Sequence, residues 1–119
     1  MFLSRLLVEA ADEPLFWIVR APLHWACERF GNLSVPVGFR TNLASIPGLV
    51  QAVPGYHCNG LTRRPATLHD YLYTTHSVTK EQADMIFHDA MIADRVSASI
   101  ARACYEAVYL FGHAAWDAK

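Results

Sequence analysis

Two stretches decide the fold: Pro65-Ala66-Thr67-Leu68-His69-Asp70-Tyr71-Leu72-Tyr73-Thr74, and, four residues on, Thr79-Lys80-Glu81-Gln82-Ala83-Asp84-Met85-Ile86-Phe87-His88-Asp89-Ala90-Met91. Pro65 suits the first turn of a helix, where its missing N–H would have had no intrahelical partner anyway. That helix is expected to run to about Thr74. Thr79 to Gln82 matches a capping box, in which the threonine hydroxyl and the glutamine side chain each accept from the other's backbone N–H. Beyond it, Ala83, Ile86, Phe87, Ala90 and Met91 recur at the helical period. The link around His76-Ser77 is short, so the two helices are expected as antiparallel neighbours.

Outward from this hairpin, a third helix is expected from about Ser97 to near Trp116, burying Ile100, Cys104, Ala107, Val108, Phe111 and Ala115. Toward the N-terminus the pattern changes to strands and turns. Apolar runs at residues 3–10 and 15–20 flank Asp12-Glu13-Pro14, a hairpin signal. Leu23-His24-Trp25-Ala26-Cys27 fits a strand or a helix. Residues 32–39 fit an edge strand, because Pro36 cannot donate to a central ladder. Residues 41–48 and 53–60 read as loops. The expectation is an α+β fold in one domain, residues 1–119, with short N-terminal β elements followed by a three-helix core built on the hairpin.

Composition narrows the function classes. A chain of 119 residues that is 53% hydrophobic and 18% charged has the material for one core and is not a disordered segment. The net charge of −1 leaves no electrostatic footprint for nucleic acid and no basic stripe for an anionic membrane. Arg63-Arg64 is the only basic doublet and reads as a solvated helix start. Cys27, Cys58 and Cys104 are odd in number and lack Cys-x-x-Cys spacing, so free thiols in a reducing compartment are expected. Arg5, Glu9 and Asp12 interrupt the N-terminal apolar run, so no signal peptide is expected. No stretch approaches the roughly 18 apolar residues of a membrane span, so the chain is not expected to be an integral membrane protein. Trp17, Trp25, Phe30 and Trp116 either complete the core or mark an interface.

The hairpin carries the candidate chemistry. His69 lies eight residues before residue 77 and Asp84 seven after it. Residues equidistant from a tight turn sit level on antiparallel helices, so the two are expected to face each other. A carboxylate that holds an imidazole in one tautomer makes it a general base. Tyr73, four residues after His69, shares its helical face and can reach the same carboxylate. Asp70 projects about 100° round the helix and suits a hard cation. The same residues also fit an ordinary hydrogen-bond network at the edge of a core. Asp84 and His88, at i and i+4, fit either two metal ligands on one helix face or an ion pair on the helix flank, the latter expected because no further ligand is evident, whereas His24, His57, His76 and His113 have no partner at a telling spacing. Ser45 lacks a nucleophile-elbow context, and no phosphate-binding glycine loop is present.

Four ordered pieces resemble a family of uncharacterised domains found mostly in bacteriophages and prophages: Val35-Pro36-Val37-Gly38-Phe39-Arg40-Thr41-Asn42-Leu43-Ala44-Ser45-Ile46-Pro47, His69-Asp70-Tyr71-Leu72-Tyr73, Ala83 through Met91, and Phe111-Gly112 with Trp116. More distantly, the same order is similar to the small calcium-dependent phospholipases A of the prokaryotic secreted type. That resemblance implies His69 as the base that activates water and Asp84 as its orienting partner. It also implies calcium held by Asp70, the Leu43 carbonyl and position 42. Position 42 is Asn where both patterns carry Asp, which removes one charge from a hard-cation site and implies weaker calcium binding.

Two functions lead the expectations, ahead of a hydrolase of another bond, such as peptidoglycan, using the same base. One is a phage-encoded phospholipase-like ester hydrolase acting on phospholipid. The other is a non-enzymatic virion or tail-associated protein on a degenerate hydrolase scaffold, partnered by other virion proteins. Either places the chain in the host cytoplasm or the virion.

Overall fold

Strands come first and helices after, in a computed structural model that describes residues 1–14, 16–41 and 61–118. Strands β1 (Val8–Ala10), β2 (Trp17–Val19), β3 (Leu23–Trp25), β4 (Leu33–Val35) and β5 (Arg40–Thr41) precede helices α1 (Arg63–Thr75), α2 (Lys80–Ala93), α3 (Ala98–Phe111) and the short α4 (His113–Asp117). The fold is α+β, as the sequence pattern requires. The loops expected within residues 42–60 lie outside the described residues, and Asn42, Leu43, Ser45, His57 and Cys58 with them.

The strands form two antiparallel sheets, one of order β1-β2-β5 and one pairing β3 with β4. Val8 faces Val19 and Ala10 faces Trp17, so the Asp12-Glu13-Pro14 hairpin is where the sequence puts it. The first strand is shorter than expected. Residues 1–3 leave it to bond with β3, through Leu3 N–H to His24 and Ala26 N–H to Met1. The ambiguous segment at residues 23–27 resolves as strand β3, with Leu23 and Trp25 turned inward. Strand β4 stops at Val35, immediately before Pro36.

The main core lies where the sheets meet the hairpin: Val19, Leu23, Trp25 and Val35 pack with Leu68, Leu72, Ala83 and Ile86. A second cluster, with Phe87, Met91, Ala101, Cys104 and Val108, joins α2 to α3. The aromatic question also resolves. Trp25 is core, Phe30 and Trp116 pack against it, and Trp17 is half-buried. Cys104 is buried and Cys27 half-buried, both as free thiols, and burial pushes the Cys104 thiol up to about 11.

Three helical expectations need correction. The third helix is not continuous, because it breaks at Gly112 and restarts as α4. A Cβ at Gly112 would collide with the Val108 carbonyl oxygen and sit 2.7 Å from the Tyr73 hydroxyl, so only glycine lets Tyr73 approach there. Phe111, expected inside, is 57% exposed. Lys80, the first residue of α2, reaches the carbonyls of Val108 and Tyr109, so the last turn of α3 lies level with the start of α2 and Phe111 comes after that contact. Arg64 is not simply solvated. It grips Asp94 at the end of α2 through Nε and Nη2, at 2.9 and 2.6 Å.

Candidate functional site

The capping box at Thr79 forms as expected, with the Thr79 hydroxyl accepting from Gln82 N–H and the Gln82 side chain accepting from Thr79 N–H. It fixes the start of α2 and therefore the level at which Asp84 meets α1. At the other side of the turn, His76 takes a left-handed conformation at φ 52° and closes α1 with its N–H on the Leu72 carbonyl. These two devices set the register of the hairpin.

In that register, Asp84 faces His69. His69 Nε2 lies 2.9 Å from Asp84 Oδ1, and the Tyr73 hydroxyl donates to the same oxygen at 2.7 Å. An ionised carboxylate only accepts, so Nε2 carries the proton and Nδ1 keeps the lone pair. The imidazole packs against two rings at a tilt, Tyr73 at 4.1 Å and 40° and Phe87 at 4.5 Å and 33°. All three sequence-selected residues are therefore brought together, with Asp84 fully buried and His69 only 3% exposed.

One participant was missed. Lys80 donates to Asp84 Oδ2 at 2.8 Å and also to the carbonyl oxygens of Val108, at 2.9 Å, and Tyr109, at 3.3 Å. Reading residues 79–82 as a capping box gave Lys80 no role of its own. The available signal was its i,i+4 spacing to Asp84. Asp84 thus receives three donors from two helices, while Lys80 extends the connection to the last turn of α3. Burial alone would raise the Asp84 carboxyl. The hydrogen bonds from His69, Lys80 and Tyr73 outweigh it and hold the group below the usual carboxylate range. The Tyr73 phenol goes the other way, raised first by burial and then by its bond to Asp84.

The remaining candidates fall elsewhere. His88 does not pair with Asp84, whose oxygens are engaged inside the hairpin. Its ring instead lies 3.5 Å from Asp89 and edge-on to Tyr105. His76 and His24, which sequence spacing leaves without partners, both have one: His76 stacks on Trp116 at 3.8 Å, and His24 Nδ1 lies 2.6 Å from Ser34 Oγ. Asp70 is buried at 5% exposure on α1 beside His69. Of the calcium ligands implied by the phospholipase resemblance, it is the only one among the described residues. Those residues hold no group of three His, Cys, Asp or Glu fit for a metal ion. The other implied oxygen ligands, at positions 42 and 43, lie outside the described residues.

No curated protein and no solved structure matches the chain. One family does, through residues 17–108, a span that runs from β2 through the hairpin to Val108 and holds His69, Tyr73, Lys80 and Asp84. The chain belongs to the domain family described as protein of unknown function (DUF1353).

Proposed function

We propose that the chain is a phage-encoded, phospholipase-like hydrolase of lipid esters in which His69, oriented by Asp84, activates water. The observation that carries this reading is the buried 2.9 Å contact between His69 Nε2 and Asp84, with Tyr73 on the same oxygen. It fixes the tautomer that leaves Nδ1 able to take a proton. Nδ1 accepts a proton from water as the oxygen attacks the ester carbonyl. The tetrahedral intermediate then expels the alcohol, which receives that proton from the imidazolium, giving a free fatty acid and a lysolipid. Asp84 offsets the imidazolium charge, and Tyr73 and Phe87 keep the ring from rotating. The test is fatty-acid release from phospholipid vesicles, with and without calcium. Wild type is expected to release it, and His69→Ala to be inactive with an unchanged circular dichroism spectrum. Equal release by His69→Ala sinks the reading.

A second reading is supported by Lys80. A carboxylate that accepts from three donors, beside a histidine this buried, is also what a structural clamp between helices needs. On that reading the chain is a non-enzymatic virion or tail-associated protein. It is favoured if wild type releases no fatty acid and the protein co-purifies stoichiometrically with intact particles.

A further inference from the structure

At the end of the hairpin away from its turn, the N-terminal segment, the first turn of α1 and the end of α2 enclose a cavity of about 520 Å³. Arg5, Arg63 and Arg64 line it, with Asp94 the one carboxylate among the described lining residues. The three guanidinium groups come together only through folding, since Arg5 lies 58 positions before Arg63. We propose that this cavity binds a phosphate group, free or carried by an organic molecule.

Arg64 gives the site a fixed wall. Two of its nitrogens hold Asp94, Nη1 donates to the Ser4 carbonyl at 3.1 Å, and the guanidinium lies 4.8 Å from the centre of the Phe2 ring. Asp94 is thereby committed to Arg64. Arg5 is exposed and makes no ion pair among the described residues, while Arg63 is exposed at the first position of α1. Planar guanidinium forks match the oxygens of a phosphate two at a time, which a point charge cannot do. The positive end of the α1 dipole adds a field of the same sign. The rest of the lining includes Leu6, Val8 and Leu61. That apolar share suits a phosphate that brings carbon with it. The site is separate from the His69 network and does not depend on the hydrolase reading.

The test is titration of the whole chain with inorganic phosphate, followed by amide chemical shifts, against sodium chloride at matched ionic strength. A second arm uses sedimentation with phosphatidylglycerol vesicles in the presence and absence of phosphate. Saturable phosphate shifts at Arg5, Leu61 and Arg63 are expected, with affinity about tenfold weaker in Arg5→Gln. Unchanged thermal unfolding of that variant shows the loss to be local. Vesicle binding competed by phosphate identifies a lipid headgroup as the source, and phosphate binding without vesicle binding identifies a soluble phosphate. Shifts matched by chloride, or the same affinity in Arg5→Gln, overturn the proposal.

Discussion

Replacing Lys80 with Met is the most demanding perturbation of the hairpin, because an internal comparison exists. Lys80–Asp84 and Arg102–Glu106 are both i,i+4 pairs at 2.8 Å, but their side chains are 6% and 0% exposed in the first and 69% and 54% in the second. Methionine keeps most of the lysine stem in place and removes the ammonium group, charge and donors together. Asp84 is then left as a buried anion with two donors instead of three, and the Val108 and Tyr109 carbonyls lose the Lys80 bond, Val108 keeping the one from Gly112 N–H. Removing one partner of a buried pair costs about 3–5 kcal/mol. At about 4 °C per kcal/mol for a domain of this size, thermal unfolding falls by roughly 12–20 °C. Arg102→Met, at the exposed pair, costs about 0.5 kcal/mol or less. The assay is equilibrium urea unfolding followed by circular dichroism, on Lys80→Met, Asp84→Asn, the double variant and Arg102→Met. The double variant is expected to fall short of the sum of its singles by about 1 kcal/mol or more. If Lys80→Met costs no more than Arg102→Met, the carboxylate is reached by water and the clamp does not exist.

Two further outcomes follow from the same network. The Asp84 carboxyl is held below its ordinary value of 3.8, so the folded state binds fewer protons than the unfolded chain near that pH. Its contribution to stability is therefore complete above about pH 3.8 and lost as pH falls through the folded value; urea midpoints measured against pH should show this acid limb flattened in Asp84→Asn. Gly112→Ala, which drives a methyl group against the Tyr73 hydroxyl and the Val108 carbonyl, should cost about 1–3 kcal/mol in urea and alter the near-ultraviolet tyrosine signal; an unchanged midpoint refutes the close approach.

The legible parts of this chain were those governed by local spacing. Pro65, the Thr79–Gln82 box and the short turn are sufficient to place His69 opposite Asp84, because a tight turn leaves antiparallel helices little freedom in register. Tyr73 follows by the i,i+4 rule. Of the Lys80 contacts only the i,i+4 pair with Asp84 is local; the carbonyls 28 and 29 residues away are partners no local pattern encodes. Phe111 was misplaced because helical periodicity describes a face but not where the opposing helix ends. Arg64 was misplaced for a related reason: its partner Asp94 is 30 residues distant and becomes adjacent only when the hairpin closes. The strands were hardest to bound, being two or three residues long with edges set by long-range pairing.

The short helix after Gly112 has consequences for motion. Five residues are far below the length at which a helix holds itself together in water, and none of α4 is buried. Its order is lent by Trp116, stacked on His76 and edge-on to Tyr73. Such a segment opens at low free energy while the larger helices stay closed. In hydrogen exchange its amides should therefore report a fast, local equilibrium, well separated from the slow amides of α1 and α2. Each such opening uncovers one edge of the Tyr73 ring, so the most tightly bonded part of the molecule has the least stable element as its neighbour.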